Sequence, residues 1–359
     1  MPDNVVFFLG AGASRNFGYP MTDEIMPLIL NKLLKKDLFQ LSLDRKTARE
    51  QQQEKTLLKY LYMLYPGLQA IKSGNGSPKE EIPNITEILS IVDHFCFYNT
   101  PPHPEIADGR LTEFRDLLNR AVGELIVDFD NEEFSRPQRQ LFDAFIAPIR
   151  AEKRDNSVTI ITTNYDLLID MEFEDVALKN KVDYGIAYRD IEESTLIFRD
   201  PNPLFHYYKL HGSLNWLRCD LCGHYYINQA GSIIWNAFSE RIGRNNTCIC
   251  SDNLRLKSVL VAPSLVRDIR DANLLQIWKA SLEAIRTADR LVMIGYSLPP
   301  EDLGIRSILM RALNGRDPEK KLKVDVVQLG ESSRSRYLNL FGKDIKYYSN
   351  GLKAYLDGR

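Results

Sequence analysis

Four of the five cysteines in this 359-residue chain fall in two close pairs, Cys219-x-x-Cys222 and Cys248-x-Cys250. Two pairs of thiolates suit tetrahedral zinc, each pair on a turn that presents both sulfurs to one ion. Four protein ligands leave no open position, so the expected zinc is structural. Four free thiols are the plain alternative, and the single residue between Cys248 and Cys250 is a shorter spacing than zinc ribbons usually have.

Two further stretches combine residue types that do chemistry. In "IITTNYD" an apolar run delivers Thr163, Asn164 and Asp166 at its end, where open α/β sheets bind ligands. The same residues also cap helices, and "LLID" follows. In "YKLHGSLNW", His211 stands beside Gly212 and Ser213. Its reference pKa of about 6.5 suits a general base, although a lone histidine is more often merely structural.

The third pattern is glycine at the end of an apolar run. "VVFFLGAGASRNFGYP" places Gly10, Ala11, Gly12 and Ser14 directly after a strand-like segment, and "VMIGYSLPPED" does the same with Gly295 and Ser297. Glycine lets the backbone turn sharply and approach a ligand, and amides in such a turn can face a phosphate. The dinucleotide fingerprint would want a third glycine where Arg15 stands, so a tight strand-to-helix turn remains the competing reading.

The elements that must position these residues are legible as runs. Strand-like segments recur at 5–10, 158–164, 206–212, 258–263, 290–297 and 323–330, several of them nearly continuous in Val, Ile and Leu. That is the pattern of a parallel sheet buried on both faces. The segment 274–288 has helical periodicity and runs straight into the strand at 290, so the expected fold class is α/β with a Rossmann-like parallel sheet. The region 22–150 lacks strand-like runs and reads as a helical insertion, with "LTEFRDLLNRAVGELIVDF" at 111–129 and breaks at 72–84 and 99–105. A second insertion, 217–257, carries the cysteines between two expected core strands. On this division the core comprises 1–21 and 151–359.

Composition narrows the function classes. With 46 basic and 48 acidic residues and a formal net charge of −2, no electrostatic footprint favours direct nucleic-acid or membrane-surface binding. No apolar run reaches the roughly 18 residues of a membrane span, and the N-terminus lacks a basic leader region, so a cytoplasmic location is expected.

Taken in order, G-A-G-x-S, T-x-N-x-D, H-G-S, a four-cysteine insertion and a late G-x-S-L turn resemble the sirtuin fold. The resemblance covers the first twenty residues and about 158–330. It implies NAD+ as the ligand, with Gly10, Ala11, Gly12, Ser14, Asp23, Thr163, Gly295 and Ser297 holding it. Asn164 and Asp166 would lie at the nicotinamide ribose and carboxamide, His211 would be the base, and the cysteines would hold a structural zinc.

The departures carry a further expectation. "GYPMTDE" keeps Gly18 and Pro20 but lacks the Phe and Arg that follow in deacylating sirtuins, where the Phe shields the reaction centre from water. Together with the helical insertion, this is similar to the sirtuin-like NAD+ hydrolases of bacterial antiphage defence. The expected activity is therefore cleavage of NAD+ to nicotinamide and ADP-ribose. A protein deacylase and a non-hydrolytic NAD+ or ADP-ribose sensor are the alternatives. Restraint by a homo-oligomer, a DNA-translocating ATPase of the HerA type or another sensor protein is the expectation for such an enzyme, and the trigger is expected on another polypeptide.

Overall fold

The computed structural model describes residues 4–40, 46–71, 82–106, 109–130, 133–155, 157–170, 181–229, 231–238, 246–261 and 271–358. The Val and Phe run at the start forms β1 (Asn4–Leu9), buried from Val5 onward, and Gly10 turns it into α1 (Ala11–Arg15). Only helices follow over 22–155 among the described residues. They are α2 (Thr22–Lys35), α3 (Ala48–Leu64), α4 (Ile85–Tyr98), α5 (Arg110–Asp130) and α6 (Arg136–Asp155), with short 3-10 turns at Pro66–Ala70 and Pro104–Ile106. Most of the expected loop at 72–84 lies outside the described residues.

Local chemistry explains these helices. Thr47 and Glu50 form a reciprocal cap at the start of α3, each side chain accepting the other's amide hydrogen, which satisfies two donors the helix leaves open. Along α5, Leu111, Phe114, Leu118, Ala121 and Leu125 recur at alternating steps of three and four and are all buried. This stripe packs against α2, α3 and α4.

After α6 come β2 (Ser157–Thr162), β3 (Val182–Asp183), β4 (Tyr188–Asp190), β5 (Leu196–Ile197), β6 (Phe205–Lys209), β7 (Gly212–Arg218) and β8 (Tyr225–Ile227). Then follow α7 (Ile234–Phe238), β9 (Thr247–Cys248), β10 (Ser251–Arg255), β11 (Lys257–Leu260) and α8 (Ala272–Thr287). The chain closes its sheet with β12 (Arg290–Ile294), α9 (Leu303–Asn314), β13 (Lys323–Val327), α10 (Arg334–Phe341), β14 (Ile345–Tyr348) and α11 (Gly351–Asp357).

Seven strands form one sheet in the order β14-β13-β12-β1-β2-β6-β3, and every pairing is parallel. The protein is therefore α/β with a parallel central sheet. Strand order reverses at β1, since β2, β6 and β3 extend to one side and β12, β13 and β14 to the other. The crevice at the carboxyl ends of β1 and β12 is the switch point where such sheets bind ligands. Helix α8 packs on β1 and β6, α6 on β2 and α11 on β13.

The segment 258–263 differs from its expected role. Its described part, β11, pairs antiparallel with β7 in a second, five-stranded sheet of order β11-β7-β8-β4-β5, not in the parallel sheet. The reason is the turn at Leu210 and His211: Gly212, with φ of +79°, reverses the chain so closely against Val259 that a Cβ there would lie 1.8 Å from the Val259 carbonyl oxygen. The second sheet also recruits 188–197, beyond the 217–257 segment that carries the cysteines. Edge strand β14 lies past the last strand read from the sequence. Among the described residues no helix is long and apolar enough to cross a membrane.

Candidate active site and metal centre

Two glycine turns meet at the switch point. Gly10 donates its amide hydrogen to the Ile294 carbonyl (3.0 Å), and Gly12 donates to the Gly295 carbonyl (2.8 Å). A Cβ on Gly12 would lie 2.8 Å from the Gly295 Cα, and one on Gly295, whose φ is +63°, would lie 2.0 Å from the Ala13 nitrogen. These glycines therefore serve the close approach of two backbones. Their own amides are spent, since Gly295 in turn donates to the Val327 carbonyl. Beside them Ala11 has no described hydrogen bond at its amide, and Ser297 is exposed.

Beneath this crevice three side chains form a directed chain. The Asn164 Nδ2 group donates to the Gly10 carbonyl (3.0 Å) and to Ser14 Oγ (3.0 Å), and Ser14 donates onward to Asp166 Oδ2 (2.8 Å). The carbonyl of Gly10 only accepts, so the amide orientation of Asn164 is fixed and Oδ1 is the atom left without a described partner. Ser14 is buried and its proton is committed to Asp166. It holds Asn164 and Asp166 in register. Thr163 is tied by its amide and hydroxyl to the Leu9 carbonyl.

His211 is brought to the same place. The turn that carries it is stitched to the Asn164 turn by Leu210 N–H on the Thr162 carbonyl (2.9 Å) and Leu214 N–H on the Tyr165 carbonyl (3.2 Å). The Tyr165 ring centroid lies 6.3 Å from that of His211. Trp278 on α8 donates its indole N–H to the Leu210 carbonyl (2.9 Å), holding the turn from behind. His211 itself is 3% exposed.

Buried charge supports the floor of the site. Lys209, fully buried, donates to the Asp166 carbonyl (2.7 Å) and to Asp170 Oδ2 (2.9 Å), and Asn215 donates to Asp170 Oδ1 (3.1 Å). Burial raises the Asp166 pKa, against the pull of Lys209 and the Ser14 hydrogen bond. Asp130, the last residue of α5, accepts from Tyr19 O–H (2.6 Å) and from Leu167 N–H (3.2 Å) at Oδ1. Burial and the Asp166 charge raise Asp130 to about 7, and burial with the Asp130 charge pushes the Tyr19 phenol well above its usual range.

The cysteines converge as expected. The Sγ atoms of Cys219, Cys222, Cys248 and Cys250 all lie within 4.8 Å of one another, with Cys222 to Cys248 at 3.4 Å and Cys219 to Cys250 at 3.6 Å. Those separations exceed a disulfide bond and match the edge of about 3.8 Å in a sulfur tetrahedron with Zn–S of about 2.3 Å. Burial raises the Cys248 thiol, but hydrogen bonds led by Tyr226 O–H outweigh it and bring the group to about 7. The donor set thus fits a structural zinc ion.

No protein-family model matches the chain, and no curated protein matches its sequence. Its backbone is similar to solved Sir2 structures. A Sir2 homologue with a serine-to-alanine substitution, in complex with ADP-ribose, is 12% identical with a TM-score of 0.45, over 99% of this chain and 89% of that one. A Sir2 complex with a p53 peptide and NAD+ is 13% identical with a TM-score of 0.40, over 99% and 90%. At such identity and TM-score the likeness assigns no role to individual residues of this chain.

Of the residues singled out in the sequence, the geometry joins Gly10, Ala11, Gly12, Ser14, Thr163, Asn164, Asp166, His211 and Gly295 around the ends of β1, β2, β6 and β12. Asp23 stands apart, exposed in the first turn of α2. Four residues of the floor escaped the sequence reading: Tyr19, Asp130, Asp170 and Lys209. Only Lys209 left a signal there, a lone charge inside the apolar run "HYYKLHG".

Proposed function

We propose that the chain hydrolyses the nicotinamide–ribose bond of NAD+, releasing nicotinamide and ADP-ribose. The observation that carries this reading is the arrangement of Asn164, which spends both amide hydrogens on Gly10 and Ser14 and keeps Oδ1 for a ligand. Cleavage passes through an oxocarbenium-like state, so it needs an oriented ribose and a placed water more than a strong nucleophile. Asn164 Oδ1 would accept a hydrogen bond from that water or a ribose hydroxyl. Nicotinamide leaves with the bonding electron pair, water adds to the ribose carbon, and His211 takes the proton released. The pyrophosphate would meet the Ala11 amide and the Ser297 hydroxyl at the crevice, while the zinc would only brace the second sheet.

We extend the proposal to antiphage defence, with the enzyme as an effector that depletes NAD+ on infection; the resemblance read from the motifs supports this reading. Self-association, a HerA-type ATPase or another sensor protein would then restrain it. The test is purified protein mixed with NAD+, with and without candidate partners, and nicotinamide followed by chromatography. Release that persists unchanged in Asn164→Ala and His211→Ala would refute the site. An acylated peptide in the same assay separates the deacylase, which makes O-acyl-ADP-ribose, from the hydrolase; calorimetric binding of NAD+ without turnover would indicate a sensor.

A further inference from the structure

Asp130 is an unfavourable residue where it stands. It is the last residue of α5, where the helix dipole disfavours negative charge. Its Oδ2 is shut off from solvent with no hydrogen-bond partner among the described residues. The charge of Asp166 acts on it unfavourably. Groups that cost stability in this way concentrate at functional sites. What Asp130 gains is Oδ1, which accepts from Tyr19 in the segment leaving the first glycine turn and from the amide of Leu167 in the turn that carries Asn164 and Asp166.

We infer that Asp130 is a positioning residue of the proposed site: its Oδ1 clamps the Asn164–Leu167 turn to the end of α5, so that the helical region sets the geometry in which Asn164 works. This rests on reading the site as an NAD+-cleaving centre. The same turn is also held by Lys209 through the Asp166 carbonyl. The turn is thus tied both to helix α5 and to the strand leading to His211. The titratable and charged groups facing Asp130 are Tyr19, Asp166 and Lys209, with Asp170 acting on Tyr19. Because burial and Asp166 raise Asp130 to about 7, the clamp changes protonation near neutral pH.

Asp130→Ala removes the acceptor, whereas Asp130→Asn keeps an oxygen for Tyr19 and Leu167 and cannot ionise. In full-length protein, hydrogen–deuterium exchange over 163–168 should speed up about tenfold or more in D130A, with β13 unchanged, and kcat for nicotinamide release should fall about tenfold at a KM within about threefold. D130N should bring exchange and kcat back to within about threefold of the parent and remove the step in the pH–rate profile near 7. Unchanged exchange in D130A, or a D130N no better than D130A, overturns the inference. If the parent protein releases no nicotinamide with or without candidate partners, the NAD+ reading fails. The clamp is then judged by exchange alone: acceleration in D130A reversed in D130N sustains it, and anything else overturns it.

Discussion

The Ser14 hydroxyl donates to Asp166 Oδ2 across 2.8 Å, joining the turn after β1 to a turn 152 residues further along the chain. The same oxygen receives a hydrogen from Asn164, so one hydroxyl fixes two residues of the proposed site. Ser14→Ala should lower NAD+ cleavage about tenfold to a hundredfold with the fold retained, since the buried Asp166 carboxylate and the half-buried Asn164 amide both lose a partner. Initial rates of nicotinamide release beside a circular dichroism melt check this. A rate within twofold of the parent would be inconsistent with the relay.

Gly295→Ala should be worse for folding than for chemistry. The added methyl would meet backbone at 2.0 Å and the residue would keep φ of +63°, so overpacking and left-handed strain together should cost on the order of 3 kcal/mol. Urea unfolding measures it. Gly12→Ala should follow with a smaller loss, because its φ lies outside the left-handed region.

The buried pair Lys209 and Asp170 should show strong coupling. Lys209→Met or Asp170→Asn alone leaves a charge without its partner and should cost about 3–5 kcal/mol, whereas the double substitution should cost less than the sum. A double-mutant cycle by denaturant unfolding decides this, and simple additivity would contradict the pairing.

Zinc content should be about one ion per chain, and Cys219→Ser or Cys248→Ser should abolish it. Chelation should melt the second sheet first, read as loss of exchange protection in β7, β8 and β11, while the parallel sheet keeps its own.

Stability should fall as pH rises from about 4 to 7. Burial holds Glu124 and Asp130 at about 7 in the folded chain, against about 4 in the unfolded chain, so their contribution is fully present below about pH 4 and lost as pH rises through 7. Asp183 works oppositely: despite burial, hydrogen bonds from His206 and Arg199 hold it at about 2, so its contribution is lost only as pH falls toward that value. Unfolding curves from pH 4 to 8 should flatten in a Glu124→Gln, Asp130→Asn protein.

What the sequence disclosed, and what it withheld, follows distance along the chain. Strand β1, its glycine turn and the helix α8 were legible because Val5 to Leu9 and the spacing of Leu274, Ile277 and Ile285 are local patterns. The convergence of four cysteines was legible because pairs constrain one another. Strands β4, β5 and β8 span only two or three residues and show no period. The 258–263 run has the apolarity of a core strand, and nothing local says which sheet it joins. The use of the Gly10 and Gly12 amides depends on carbonyls at 294 and 295, and Asp130 is, locally, an unremarkable polar end to an amphipathic helix.

The central position of β1 bears on how the chain comes to be made. Its two neighbours, β2 and β12, lie far downstream, and the Asn4 amide finds its acceptor on Asp289, 285 residues later. At ribosomal speeds of about 5–20 residues per second, this apolar strand waits roughly 15 to 60 seconds for its second partner. Such a topology has high contact order and should fold slowly after synthesis. In cells, the yield of active protein should therefore depend on chaperones that shelter that strand in the interval.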